Sequence, residues 1–136
     1  MKMLAYALMA LSTGAHASEF QFDLDCRGVE AGLEMHGKYK PSPTAKPARD
    51  RLIIDLSRKV WCLSPCRDPG PLTATASALA LEGGPPSLGP TKRHLDRLTG
   101  AYTERVQLPV RDSDEFLVSH YACEKRPFSG LPSRKF

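Results

Sequence analysis

The sequence predicts an all-β domain, a small antiparallel sandwich or barrel stapled by disulfides. Apolar and polar residues alternate with period two in several segments, and clusters of Gly and Pro separate those segments. Four cysteines, at 26, 62, 66 and 123, lie beyond an N-terminal stretch that reads as an export leader.

That leader comes first. Lys2 is followed by nine largely apolar residues, Met3 to Leu11, and then by the small and polar run Ser12-Thr13-Gly14-Ala15-His16-Ala17. A cationic start, an apolar middle and small residues at a cleavage point are the three parts of a secretory signal. The expected cut follows Ala17, so residues 1–17 are the signal and 18–136 one β-rich domain ending in a tail, 124–136. A spanning helix needs about 20 apolar residues; no segment offers them, so no transmembrane segment is expected.

Removing 17 of 136 residues leaves 119, enough for one domain. Such a chain buries roughly 65% of its unfolded surface, which supports a modest core. The leader holds one Lys and no acid, so 18 basic residues stand against 15 acidic ones, a net charge of +3. That excess is far below the basic footprint of a nucleic-acid binder, and nucleic acid is not an expected partner. An anionic envelope polymer or a protein remains chemically compatible.

The strands follow in order. Phe20, Phe22, Leu24 and Cys26 alternate with Gln21, Asp23 and Asp25, placing an apolar edge on a core and a polar edge in water. Leu52, Ile54 and Leu56 repeat the pattern, Ser57-Arg58-Lys59 forms a turn, and Val60-Trp61-Cys62 continues as a paired strand. Leu72 to Leu81 reads as strand from Thr73, Thr75 and its bounding prolines, although its alanines also suit a helix. Arg93 to Arg97 precedes Leu98-Thr99-Gly100, whose glycine suits a hairpin reversal. Tyr102, Glu104, Val106 and Leu108 then alternate with one charged lapse at Glu104. Glu115 to Cys123 is the last strand. If Cys123 faces inward, Leu117, Ser119 and Tyr121 share its side, while Phe116, Val118 and His120 face out. The tail, with Phe128, Leu131 and Phe136, is expected to cover Phe116 and Val118. Loops rich in Pro and Gly occupy 40–47, 64–71 and 83–90, where a fixed φ and a missing donor exclude central strands.

An even cysteine count in a small exported domain reads as a disulfide framework. Three pairings are possible; Cys26–Cys123 with Cys62–Cys66 is the favoured one. The first would tie the opening strand to the closing strand, and chain entropy gives about 4.7 kcal/mol for so long a loop. The second closes a short loop and gives about 2 kcal/mol. The alternative makes Cys62 and Cys66 a thiol-redox or metal site, with His36, His94 or His120 as a further ligand. Three residues separate these cysteines where a redox motif has two. Arg67 stands where covalent haem attachment needs His.

Catalytic signals are absent from the sequence. Ser119-His120, with His94 and Asp96, contains a nucleophile, a base and an acid, yet no strained elbow or oxyanion element surrounds the serine. Asp23 and Asp25 share a face as glycosidase carboxylates do, but neighbouring charges on a solvated edge explain them. Trp61 is expected to pack in the core against the Cys62 bridge. Lys125, Arg126, Arg134 and Lys135 make the tail basic, a solvated end or an attraction to an anionic surface. Counting back by twos from Phe136 gives Arg134, Pro132 and Gly130, which excludes the final strand of an outer-membrane barrel. No catalytic residue, metal or cofactor is assigned.

Leu52-Ile53-Ile54-Asp55-Leu56, Trp61-Cys62 with Cys66, Leu95 to Gly100, and the ending Pro127 to Phe136 resemble small exported proteins of proteobacteria. The resemblance covers most of the mature chain. It implies an envelope location and a disulfide, and brings no activity and no functional residues. Compact β-barrel lysozyme inhibitors are similar in size, but their inhibitory loop motif is missing, and shared architecture does not carry function. The expected role is an exported, non-enzymatic β-domain that binds an envelope component or a protein.

Overall fold

The computed structural model describes residues 18–29, 31–109 and 114–132. The leader and its cut after Ala17, together with Arg134, Lys135 and Phe136, lie outside the described residues. The chain runs through β1 (Gln21–Val29), β2 (Gly32–Met35), β3 (Lys38–Lys40), β4 (Pro47–Asp55), β5 (Val60–Leu63), β6 (Gly70–Ala74) and β7 (Ala78–Leu81). It ends with β8 (Thr91–Asp96), β9 (Ala101–Gln107) and β10 (Glu115–Arg126). The described residues include no helix long and apolar enough to cross a membrane.

Eight of these strands form a closed antiparallel barrel. Neighbours run β1-β4-β5-β6-β7-β8-β9-β10, and β10 pairs with β1 to complete the ring. At that seam Cys26 stands directly opposite Cys123, and the two are bonded. Cys62 and Cys66 form the second disulfide, so all four cysteines are paired as expected. β10 is the longest strand. Its C-terminal half closes the seam with β1, while Glu115–Val118 pairs with β2 and extends the sheet through β2 to β3.

Period-two alternation decides which residues fill the ring. Phe22, Leu24, Cys26, Leu52, Ile54, Trp61, Leu72, Leu79, Leu81, Leu95 and Tyr102 form one buried cluster. An eight-stranded barrel is about wide enough for its own side chains to fill. Trp61, fully buried, is the largest of the filling residues. Its indole N–H donates to the carbonyl of Glu82 at 2.8 Å, so the ring is buried without an orphaned donor. Gly70 permits this approach: a Cβ there would stand 2.1 Å from the Glu82 oxygen. Successive strand residues point to opposite faces, so Trp61 points inward and Cys62 outward. The expected packing of Trp61 against the bridge is therefore replaced by packing against Arg93, whose guanidinium carbon lies 5.3 Å from the ring centre.

Residues 72–81 form the β6–β7 hairpin, in line with the strand reading. Gly100, at φ 76°, completes the β8–β9 turn, where the Asp96 carboxylate accepts the amides of Leu98 and Thr99. The β2–β3 hairpin had no counterpart among the expected strands. It turns at His36 and Gly37, both at positive φ (49° and 76°), as a two-residue hairpin turn requires.

The inward and outward sets on β10 fall as expected, but their cover differs. Arg105 lies over Phe116 at 4.4 Å, and Tyr39 meets His120 edge-on at 5.2 Å. Gly32, the register partner of Val118, lies directly beneath the Tyr39 ring. The hairpin and β9 thus cover this face. The tail runs elsewhere: the Ser129 amide donates to Asp23 on β1, and Leu131 and Pro132 line one open pocket with Val60, Gly70 and Pro71.

Candidate functional site

The outer face of β4, β1 and β10 carries an arrangement of charge that alternation builds directly. Asp23, Asp25 and Arg27 point outward from β1; Arg49 and Arg51 from β4; Glu124 and Arg126 from β10. Antiparallel register then sets them in rows. Arg49 stands opposite Arg27, Arg51 opposite Asp25 opposite Glu124, and Ile53 opposite Asp23 opposite Arg126.

The two aspartates were expected on a solvated edge. Instead they are buried, Asp23 at 0% and Asp25 at 5% exposure, beneath the arginines. Arg49 grips Asp25 with two parallel bonds, Nε to Oδ1 and Nη2 to Oδ2, each 2.8 Å. Arg27 and Arg126 approach the same carboxylate at 3.5 and 4.0 Å. Arg51 Nε donates to Asp23 at 2.8 Å, and the other Asp23 oxygen accepts the Ser129 amide at 3.1 Å. A buried carboxylate is tolerable only when paired and hydrogen-bonded, and both meet that condition.

The hydrogen bond from Arg49 holds the Asp25 carboxyl below its usual range; burial opposes it, and the charges of Arg49, Arg27 and Arg126 add to it. The Arg49 guanidinium is raised in turn, chiefly by the same hydrogen bond. The pair stays ionised. Asp23 and Asp25 lie underneath, so guanidinium meets solvent above them: the side chains of Arg27 and Arg49 are 67% and 66% exposed. Glu124, 75% exposed, pairs with Arg126 at 3.0 Å beside them. Each Arg has five N–H donors in a fixed fork, and Arg49 uses two of its five on Asp25. Four arginines against Asp23, Asp25 and Glu124 leave an outward positive excess held in place from below.

The tail completes this face. Asp23, Ile53 and Cys62 form one row of register partners on β1, β4 and β5, and all three are buried although they point out of the barrel. The Ser129 contact sets the tail across this row. Sequence reading gave the tail a covering role but the wrong face, because its Pro, Gly and Ser residues carry no periodicity.

A second polar cluster lies inside the barrel at the end where β4 and β10 enter. Arg93 donates to Glu104 at 3.0 Å and to the Gly83 carbonyl at 2.9 Å. Tyr102 stands 3.4 Å from the same Glu104 carboxylate and 5.4 Å, ring to ring, from Tyr121. Burial, then the Glu104 charge, raises the Asp50 pKa. Burial pushes the Tyr121 phenol up to about 12, and Tyr102 higher still. Arg93, Glu104 and Tyr102 satisfy one another, and Asp50 and Tyr121 join them at this end of the barrel. The sequence signal was the charged lapse at Glu104, an inward position; Arg93, Asp50 and Tyr121 were not singled out as its partners.

The other sequence candidates do not converge. Ser119 is buried on the inner face and His120 is exposed on the outer one, so the proposed nucleophile and base are separated by the sheet. His94 is exposed on β8, and Asp96 is engaged in capping its turn. Among the described residues no three His, Cys, Asp or Glu side chains gather as a metal site. Cys62 is fully buried in its bridge and Cys66 half-buried, so an incoming thiol could reach only the second sulfur.

No family model, curated protein or solved structure matches the chain.

Proposed function

We propose that the chain is an exported, non-enzymatic barrel, working in the periplasm or outside the cell after cleavage near Ala17, that binds an anionic envelope polymer. The contact surface is the outer face bearing Arg27, Arg49, Arg51 and Arg126. One observation carries the reading: the buried Asp25 carboxylate holds the Arg27 and Arg49 guanidiniums at the barrel surface, with about two thirds of each side chain exposed. Guanidiniums match carboxylate and phosphate geometry through paired N–H bonds. Fixing them from beneath lowers the side-chain entropy lost when a ligand docks. The two disulfides suit an oxidising compartment.

The test is a titration with polyphosphate and with polygalacturonate, which separate phosphate from carboxylate as the favoured group. The wild-type protein should bind at low salt and lose affinity as salt screens the charges. Arg27→Gln with Arg49→Gln should weaken binding about tenfold, roughly 1.4 kcal/mol. Both substitutions are made in an Asp25→Asn background, so that no buried carboxylate is left without its partner, and circular dichroism verifies the fold. Equal affinity of the double variant, or no binding by either polymer, would remove the proposal. The thiol-redox alternative is answered separately by thiol titration of the native protein, in which two reactive thiols would restore it.

A further inference from the structure

The barrel has a second accessible feature, independent of the arginine face and at the opposite end from the Asp50–Glu104 cluster. A cavity of about 400 Å3 opens where β1 begins, β10 ends and the β8–β9 turn folds over. Phe22, Leu24 and Leu95 form its floor, and Leu98 its rim. The floor residues are core residues that keep only 3–5% exposure, whereas Leu98, on the turn, is 80% exposed. Leu98 is an apolar side chain held in water beside an apolar floor, with little cover from the described residues.

Charge at this mouth has a defined layout. Lys125 follows Tyr121 and Cys123 on the inward side of β10. Its ammonium stands 4.4 Å over the Phe22 ring, and none of the ion pairs among the described residues includes it. Arg97 joins the rim, anchored by a bond from Nη1 to the Thr75 carbonyl. Asp96, the one acid among the described residues that line the mouth, already accepts the amides of Leu98 and Thr99. Two cations and one engaged carboxylate therefore surround a small apolar floor, and polar groups supply most of the accessible lining. The cavity is at the smaller end of small-molecule sites, roughly 300–1,000 Å3.

We infer that this mouth binds a single-chain anionic amphiphile, its acyl chain laid between Leu98 and the Phe22–Leu95 floor and its carboxylate or phosphate on Lys125. The ligand is taken as a free monomer, not as part of a bilayer.

The probe is dodecanoate below its micellar concentration, followed by calorimetry and by amide chemical shifts. Saturable one-to-one binding is expected, with shifts at Phe22, Leu98 to Gly100 and Lys125. Lys125→Gln and Leu98→Ser should each weaken binding about tenfold; both positions are exposed, so the fold should survive. Methyl dodecanoate and dodecyltrimethylammonium should bind at least tenfold more weakly than dodecanoate. The Arg27→Gln, Arg49→Gln variant in the Asp25→Asn background should bind dodecanoate normally, which separates this site from the polymer face. The inference is overturned by unsaturable binding, by equal affinity for the cationic amphiphile, or by indifference to Lys125→Gln. It is overturned equally if the protein sediments with phosphatidylglycerol vesicles through Lys125 while ignoring monomeric dodecanoate.

Discussion

Removing the Cys26–Cys123 bridge should cost the barrel more than removing any other single crosslink, and the amount can be worked out. The bonded residues are 97 apart in sequence, nearly the whole domain. Loop-closure entropy for a ring of that length is about 4.7 kcal/mol at room temperature. The Cys62–Cys66 bridge, four residues apart, gives only about 2 kcal/mol by the same relation. Domains of this size are stable by about 5–15 kcal/mol. Cys26→Ala with Cys123→Ala should therefore remove a third or more of the total, and lower the melting temperature by roughly 20 °C at about 4 °C per kcal/mol. Cys62→Ala with Cys66→Ala should cost less than half as much. Urea titrations of the two double variants, read by Trp61 fluorescence and far-ultraviolet circular dichroism, supply both numbers. Equal losses, or a larger loss at Cys62–Cys66, would refute the argument that closure of the ring is what the seam bridge protects.

Three further outcomes follow. Asp50 has a higher pKa folded than unfolded, mainly through burial, so its contribution to stability is full below the ordinary Asp value and is lost as pH rises through the folded one. Asp50→Asn should thus gain on the wild type from acidic to neutral pH; a difference that stays constant with pH would contradict this. Trp61→Ala empties the largest buried position and should cost about 3–5 kcal/mol by urea denaturation; a loss under 1 kcal/mol would show that the barrel can collapse onto the gap. Truncation after Arg126 should bare Ile53 and the Asp23 carboxylate, lowering stability and increasing binding of a hydrophobic dye; unchanged dye binding would mean that the tail does not seal that row.

Much of the barrel was legible in its sequence because a strand with one wet side writes its orientation in every second residue. Phe22, Leu24 and Cys26, and likewise Leu117, Ser119 and Tyr121, fell on the inner side as their spacing required. What failed was the assumption that every outward residue meets water. Asp23 and Asp25 look like surface acids, and only the register of β4, which brings Arg49 and Arg51 alongside, reveals them as buried anchors. That register depends on pairing between positions more than 20 apart, which periodicity within one segment does not encode. The β2–β3 hairpin escaped for a local reason: His36 adopts a left-handed conformation usually given to Asn or Gly, so its turn carries a weak signal.

The sheet runs out at β3, where Lys38 and Lys40 flank Tyr39 and all three are exposed. A row of unpaired backbone donors and acceptors invites a second molecule to continue the ladder. Two copies meeting there head-to-tail would bring four ammonium groups onto a seam three residues long, a repulsion that the few bonds gained could hardly offset. Concentrated stocks should therefore be most prone to fibrous association in alkali or in strong brine, where that electrostatic guard is neutralised or screened.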